Sequence, residues 1–275
     1  GIDVGGSTTK IVGIDGKEIR NPMFVRATDP VTSLFGAFGK YLYDNDIPLS
    51  AIEQVMLTGV GSASINQPLY GLPTAKTDEF LANGLGAQYM TQLDKLIVVS
   101  MGTGTSFVKV DGTKIEHIGG IGIGGGTVLG LSRLLLKTQD FHQVVTLALK
   151  GNITNINLQI KDICNIPLPG LPLDATASTF GKADANASQE DVALGIIYMV
   201  LQCIGQSVIL AALNSDIHDF VLIGNLTKLP QCKDIFPRLE DMYGGRFHIP
   251  DYAEYRTAIG AALTYINKRN YLNIS

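Results

Sequence analysis

Gly102-Thr103-Gly104-Thr105, followed by Phe107-Val108-Lys109-Val110 and Asp111-Gly112, repeats a pattern met earlier as Gly5-Gly6-Ser7-Thr8, Lys10-Ile11-Val12-Gly13-Ile14 and Asp15-Gly16. Each copy reads as a strand, a turn of small residues, a second strand, an Asp-Gly hairpin of type I′ and a third strand. The copies open at Gly5 and Gly102 and reach their hairpin glycines at Gly16 and Gly112, so the internal spacing agrees to within one residue. A unit repeated in this way predicts two lobes of like build. The boundary falls near residues 93–96, giving an N-terminal lobe over 1–94 and a C-terminal lobe over 95–275.

Outward from the repeats the pattern is α/β. Asp29-Pro30 opens a helix by cap and first-turn chemistry, with Leu34, Phe38, Tyr41 and Leu42 on one face. Val55-Met56-Leu57 reads as a buried strand ending at Thr58-Gly59, Phe80 to Leu93 as a helix, and Leu96 to Val99 as the strand entering the second repeat. A glycine run at 119–126 precedes a helix carrying Val128, Leu131, Leu134 and Leu135. Residues 151–187 hold scattered Pro, Asn and Asp and read as a long excursion, helical only in parts. Val192 to Ser215 carries no charge. Its length would span a membrane, but Gln202, Gln206 and Ser207 interrupt it and Ser188 with Asp191 forms a capping-box pattern, so a buried central helix is expected. Phe220 to Ile223 and Phe247 to Ile249 read as strands, Pro230 stands near a helix start, and Thr257 to Ile266 closes the chain as a helix.

Composition narrows the class. Hydrophobic residues make up 45% and charged residues 17% of the 275, which fits a packed core and argues against disorder. The net charge is −4 and no basic stripe is visible, so neither a nucleic acid nor a membrane is expected as partner. Cys164, Cys203 and Cys232 are too far apart for a metal knuckle and odd in number, which suits free thiols in the cytoplasm. Gly1 leads straight into Ile2-Asp3-Val4, so part of a first strand is expected to precede it, and no signal peptide is visible.

The glycines carry the chemistry. A Gly/Ser/Thr turn lets backbone N–H groups close on phosphate oxygens while the hydroxyls add donors. One such turn is more often an ordinary hairpin. A related pair, one in each lobe, points to a triphosphate held between them. Asp3 precedes the first turn, where a carboxylate can hold hydrated Mg²⁺ or position a phosphate. The run Gly119-Gly120-Ile121-Gly122-Ile123-Gly124-Gly125-Gly126 ends at Thr127, where a helix begins. Phosphate binding at that helix start is favoured over close packing. Asp78 and Glu79 stand just before a helix, where one of them could accept a hydroxyl proton, although taken alone such a pair is more often an N-terminal cap. His117, His142, His218 and His248 lack metal-ligand spacing.

Several of these segments, with Leu173-Asp174-Ala175-Thr176-Ala177-Ser178-Thr179-Phe180-Gly181, Ile223-Gly224-Asn225 and Ala258-Ile259-Gly260-Ala261, occur in the order found in a known family. The chain resembles the type II pantothenate kinases of the acetate and sugar kinase/Hsp70/actin superfamily. The resemblance spans nearly the whole chain. It implies a two-lobed, actin-like ATPase and ribonuclease H-like α/β fold with duplicated βββαβαβα-type lobes. It further implies ATP-dependent phosphorylation of pantothenate to 4′-phosphopantothenate with Mg²⁺, a homodimer, and feedback by coenzyme A or its thioesters. Glu79 takes the place of the family's catalytic base, with Asp78 as a rival. Asp3, Gly5, Gly6, Ser7, Thr8 and Lys10 would meet the phosphates from one side, with Asp3 also toward the metal. Gly102, Thr103, Gly104 and Thr105 would meet them from the other. Gly122, Gly124, Gly125, Gly126 and Thr127 would hold the phosphate tail, and Gly224 with Asn225 the adenosine. His117, Gly119 and Gly120 fall on the acceptor side.

Two departures stand out. The family's Arg before the glycine run is here His117, preceded by Glu116, and an imidazole cannot replace a bidentate guanidinium. Ser100 stands where many superfamily members carry a second Asp. Two other readings stay open: a kinase for another small hydroxyl compound, such as an amino sugar or a pantetheine-like molecule, and a nucleotide-binding regulator without turnover.

Overall fold

The computed structural model describes residues 1–272 except Ser7, Lys17, Ala27, Thr28, Asn165, Pro167 and Leu168, with side chains as far as Arg269. The chain runs β1 (Ile2–Val4), β2 (Thr8–Asp15), β3 (Glu18–Arg26), α1 (Pro30–Asp44), β4 (Val55–Thr58), β5 (Thr74–Lys76) and α2 (Glu79–Thr91). It starts again with β6 (Lys95–Met101), β7 (Thr105–Asp111), β8 (Lys114–Ile121), α3 (Gly125–Leu135) and α4 (Phe141–Ala148). The excursion holds β9 (Leu158–Gln159), α5 (Ile160–Ile163) and β10 (Thr176–Ser178). The chain closes with α6 (Gln189–Ala212), β11 (Asp219–Ile223), α7 (Cys232–Tyr243), β12 (Arg246–His248) and α8 (Arg256–Leu272).

The duplication extends to strand order. One sheet is β3-β2-β1-β4-β5 and the other β8-β7-β6-β11-β12. In each, the first three strands are antiparallel and the last two run parallel to the first. Tight turns suffice for the antiparallel part, whereas each parallel return needs a crossover. The copies differ at the last crossover. Helix α7 makes it in the second lobe, while two 3₁₀ turns at Val60–Ser64 and Leu69–Gly71 make it in the first.

Strand alternation sorts the first sheet's faces. Val4, Ile11, Val55 and Leu57 pack under α1 with Leu34, Phe38 and Tyr41. Val12 and Met56 turn the other way, toward Ala258, Ile259 and Ala261 of α8. Helix α2 meanwhile packs on the second sheet through Ala87 and Phe80 against Val98, Val108 and Val110. The two helices therefore cross between the lobes. A Cβ on Gly260 would lie 1.7 Å from the Ala82 carbonyl oxygen, and one on Gly86 2.0 Å from that of Arg256, so backbone meets backbone at the crossing.

Helix α6 is long and apolar enough to cross a membrane, but here it is the core of the second lobe, with Ile196, Ile197, Val200, Leu201 and Ile204 fully buried. Ser188 Oγ accepts the Asp191 N–H, which is one half of the expected capping box. Asp191 in turn feels the Ser188 backbone N–H, the other half of the box. Its carboxylate accepts from Asn152 N–H at 2.6 Å and from Asn155 Nδ2 at 3.0 Å, which ties the excursion to the helix and holds the carboxyl below its usual range.

Two local expectations change. Gly112 has φ +60° but Thr113 is not in the positive-φ region, so the second hairpin has the one-glycine pattern of a II′ turn rather than I′. Gly16 matches at φ +60°, and its neighbour Lys17 lies outside the described residues. Leu134 and Leu135 are 66% and 54% exposed, because α3 buries Val128 and Ser132 and turns its last two leucines outward.

Candidate active site

The two turns are three residues long and sit at corresponding strand ends: 5–7 between β1 and β2, and 102–104 between β6 and β7. Gly5 N–H donates to the Thr8 carbonyl and Gly102 N–H to the Gly104 carbonyl, closing each turn. Ser7 lies outside the described residues. Gly6, Gly102 and Thr103 are exposed.

Register places a row of side chains on the interlobe face beside the first turn. Lys10 pairs with Phe24 on β3 and with Asp3 on β1, and Asp3 pairs with Thr58 on β4. Asp3 and Lys10 are 8% and 7% exposed, with Lys10 Nζ 3.9 Å from Asp3 Oδ2. Burial pushes the Asp3 carboxyl up and the Lys10 ammonium down, and each partner's charge opposes the other's shift. A carboxylate and an ammonium that desolvation disfavours are the groups a polyphosphate and its cation would stabilise.

Past Thr58, the end of β5 delivers Asp78 and Glu79. Asp78 Oδ1 accepts the Leu81 N–H at 2.8 Å and is the N-cap of α2. The cap explanation is thereby used up by Asp78, and the Glu79 carboxyl is left half-buried beside the row. Burial, then the charges of Asp3 and Asp78, raise the Glu79 carboxyl, while Lys10 draws it back. A carboxyl raised by burial and electrostatically linked to Asp3 and Lys10 suits a general base. The next residue, Phe80, stacks on His117 with centroids 3.9 Å apart and planes within 10°. A bulge aims that imidazole. Val108 pairs with His117 and Phe107 with Gly119, so Ile118 is an extra residue, and Gly119 takes φ +146°. Glu116 binds Lys114 at 2.9 Å instead of supporting His117.

The glycine run packs against the second turn at several of its positions. Gly125 N–H donates to the Gly102 carbonyl at 2.8 Å and Gly126 N–H to the Thr103 carbonyl at 2.9 Å, and Gly124 N–H is taken by Thr127 Oγ1. A Cβ on Gly124 would lie 2.7 Å from the Thr103 carbonyl oxygen, and one on Gly120 2.7 Å from that of Thr105. The run braces the second turn by close backbone packing, while Gly122 stays exposed with open space around it.

Gly224 has φ +95°, and a Cβ there would lie 2.4 Å from the Met101 carbonyl oxygen. Its counterpart in the first lobe is Gly59, with φ +84° and Val4 oxygen at 2.6 Å. Thr227 Oγ1 donates back to Gly224 and Ser62 Oγ to Gly59. Across the cleft, Lys228 Nζ binds Glu254 at 2.6 Å and lies 6.0 Å from the Phe24 ring centroid, and both charges are felt by Lys10.

Two cavities lie elsewhere. One of about 1680 Å³ runs behind the first sheet past Val12, Tyr41 and Tyr89, and one of about 570 Å³ lies under the excursion. Neither is lined by Asp3, Lys10 or Glu79. The assignment therefore rests on the converging row and turns.

A family model described as Fumble matches residues 89–232. The chain belongs to the Fumble family. It is similar to a type II pantothenate kinase of Bacillus cereus strain G9842, 28% identical over 82% of each chain. It is also similar to one of Staphylococcus haemolyticus, 26% identical over 97% of this chain and 99% of that one. In fold it resembles the activator of 2-hydroxyisocaproyl-CoA dehydratase from Clostridium difficile, solved with bound ADPNP. That TM-score is 0.70 at 15% identity, over 99% of this chain and 96% of the other. The fold is that of the actin-like ATPases and kinases. The Fumble match begins after Glu79, so it covers the second turn and glycine run while the first-lobe row stands on its own geometry.

Some residues of this Fumble site were not singled out in the sequence. Thr58 and Gly59 read only as a strand end. Their signal was the repeated spacing of a glycine and a hydroxyl three residues on, Gly59 with Ser62 and Gly224 with Thr227. Lys228 and Glu254 carry no local signal, because only the crossover geometry brings them to Lys10.

Proposed function

We propose that this chain is an ATP-dependent pantothenate kinase, making 4′-phosphopantothenate in the first step toward coenzyme A. The observation that carries the reading is the division of labour at α2. Asp78 caps the helix, and Glu79 is left raised and free beside Asp3 and Lys10. The turns at 5–8 and 102–105 meet the β/γ-phosphates of ATP, Lys10 stands beside them as an ammonium that the phosphates stabilise, and Gly224 with Asn225 forms the adenosine side. Mg²⁺ fits Asp3. No cluster of three metal-ligating side chains exists among the described residues, and Mg²⁺ needs few protein ligands because it keeps several waters. When bound it neutralises phosphate charge. Glu79 accepts the proton of the attacking pantothenate hydroxyl as its oxygen bonds to phosphorus and ADP leaves. Positioning and charge supply most of the acceleration. His117, Gly119 and Gly120 line the acceptor side. A cytoplasmic homodimer with feedback by coenzyme A or its thioesters belongs to the same reading.

Phosphorylation of pantothenate, measured beside an amino sugar and a pantetheine-like alcohol, tests it. Turnover highest with pantothenate is expected. Preference for another alcohol would support the second reading, which the flat His117–Phe80 stack favours because it offers no guanidinium fork. Nucleotide binding without turnover on any of them would mean a regulator. Gly104→Val should remove the rise in Tm caused by Mg·ATP, since its side chain would enter the turn against the Ile121 carbonyl.

A further inference from the structure

The two oxygens of Asp3 face different neighbours. Oδ2 faces Lys10 at 3.9 Å. Oδ1 points the other way, toward β4, so closely that a Cβ on Gly59 would lie 2.5 Å from it. On that side, paired in register with Asp3 and on the same face, is Thr58. Thr58 is fully buried, and its Oγ1 has no hydrogen-bond partner among the described residues. A buried hydroxyl left without a partner costs free energy and calls for an explanation. Adjacent strands lie roughly 5 Å apart, so a rotation about χ1 is enough to bring a threonine hydroxyl to a neighbouring carboxylate.

Two comparisons narrow the explanation. Thr9 Oγ1 is also buried and without a partner, but it lies on the α1 face, where no charged group of the row can reach it. In the second lobe the position corresponding to Thr58 is Ile223, beside Ser100. The hydroxyl thus occurs on the lobe that has the carboxylate and is replaced by an alkyl group on the lobe that has none.

We propose that Thr58 is a positioning residue for Asp3. Its hydroxyl donates to Oδ1 when the cleft is loaded, so that Asp3 presents a fixed oxygen to the hydrated cation of the nucleotide. This rests on the kinase reading above. Lys10 steadies one carboxylate oxygen and Thr58 the other, and Gly59 keeps the space between them clear.

The test is the binding of ADP by wild type, Thr58→Val and Thr58→Ser, each with and without MgCl₂, read by calorimetry and by Tm. Wild type should bind ADP more tightly with the metal. Thr58→Val, nearly the same shape, should keep metal-free ADP binding and lose about tenfold or more of the metal-dependent gain, the scale of one hydrogen bond to a charged group. Thr58→Ser should recover most of it. Thr58→Val with an unchanged metal-dependent gain overturns the assignment. So does Thr58→Ser as impaired as Thr58→Val, or an equal loss with and without metal, because each marks a packing role. Wild type that binds no ADP at all overturns the kinase reading and this assignment with it.

Discussion

Lys10, Asp3 and Thr58 of the first lobe and Ser106, Ser100 and Ile223 of the second occupy corresponding places in two sheets of the same order. The first row holds an ion pair and a hydroxyl, and the second two serines and an isoleucine. Backbone features were kept on both sides: three-residue turns, a positive-φ glycine after the fourth strand, and a hydroxyl folded back onto that glycine. Duplication preserved the backbone frame of the turns, while the buried charged side chains gathered on one side. The second lobe invests instead in bracing its turn, with the glycine run bonded beneath it.

The sharpest way to break this asymmetry is to remove the charges. Glu79→Gln should lower turnover ~10²–10⁴-fold, as expected for loss of a general base, and ATP-induced stabilisation should remain. Asp3→Asn should be comparably severe, whereas Ser100→Ala at the matching place should stay within a few-fold. Equal damage from the two, measured as kcat, would mean that both lobes hold the reacting charge.

The paired glycines come next. Gly59→Ala and Gly224→Ala both force a side chain onto positive φ and into backbone oxygen, so each should lower Tm by several degrees, on the order of 1–3 kcal/mol of strain. Their functional effects should differ. Gly59→Ala displaces Asp3 Oδ1 and should depress kcat, and Gly224→Ala should weaken nucleotide binding. Identical profiles would erase the distinction between the two turns.

Glu79 also predicts a stability effect. Its carboxyl is raised in the folded chain, so the folded state holds more protons than the unfolded one between the ordinary carboxylate pKa and the raised value. Stability therefore falls as pH rises through that window and stays lower above it. Glu79→Gln should have a higher Tm than wild type at neutral pH and lose that advantage in acid, where both side chains are neutral. An unchanged Tm at neutral pH would show that the carboxyl is not strained. The smallest effect is at the stack. His117→Ala should lower activity modestly. His117→Arg should keep or raise it, which turnover measured on each variant checks.

The parts legible in the sequence were those encoded locally. The Gly-Thr turns, the Asp-Gly hairpins and the apolar runs of β4, β6 and β11 each announce themselves within a few residues, and their repetition gave the two-sheet plan. The residues that escaped depend on register or crossover. Nothing near Thr58 says that it neighbours Asp3. Lys228 reaches Phe24 only because the lobes face each other. The glycine run was open to two readings, and local sequence could not show that Gly125 and Gly126 spend their N–H groups on carbonyls of the second turn. Asp78 and Glu79 could be told apart only once one of them was seen bonded to Leu81.

The crossing of α2 and α8 has a consequence for how the chain is made. Val12, Ile14 and Ile19, near the start, are covered by Ala258, Ile259 and Leu263 near the end. During synthesis the first sheet emerges early with one apolar face open, and it stays open while the whole second lobe is translated. Its own strands and α1 cannot close it. Helix α8 is therefore the piece that completes the first lobe, and the nascent chain must carry an uncovered sheet until that helix is made.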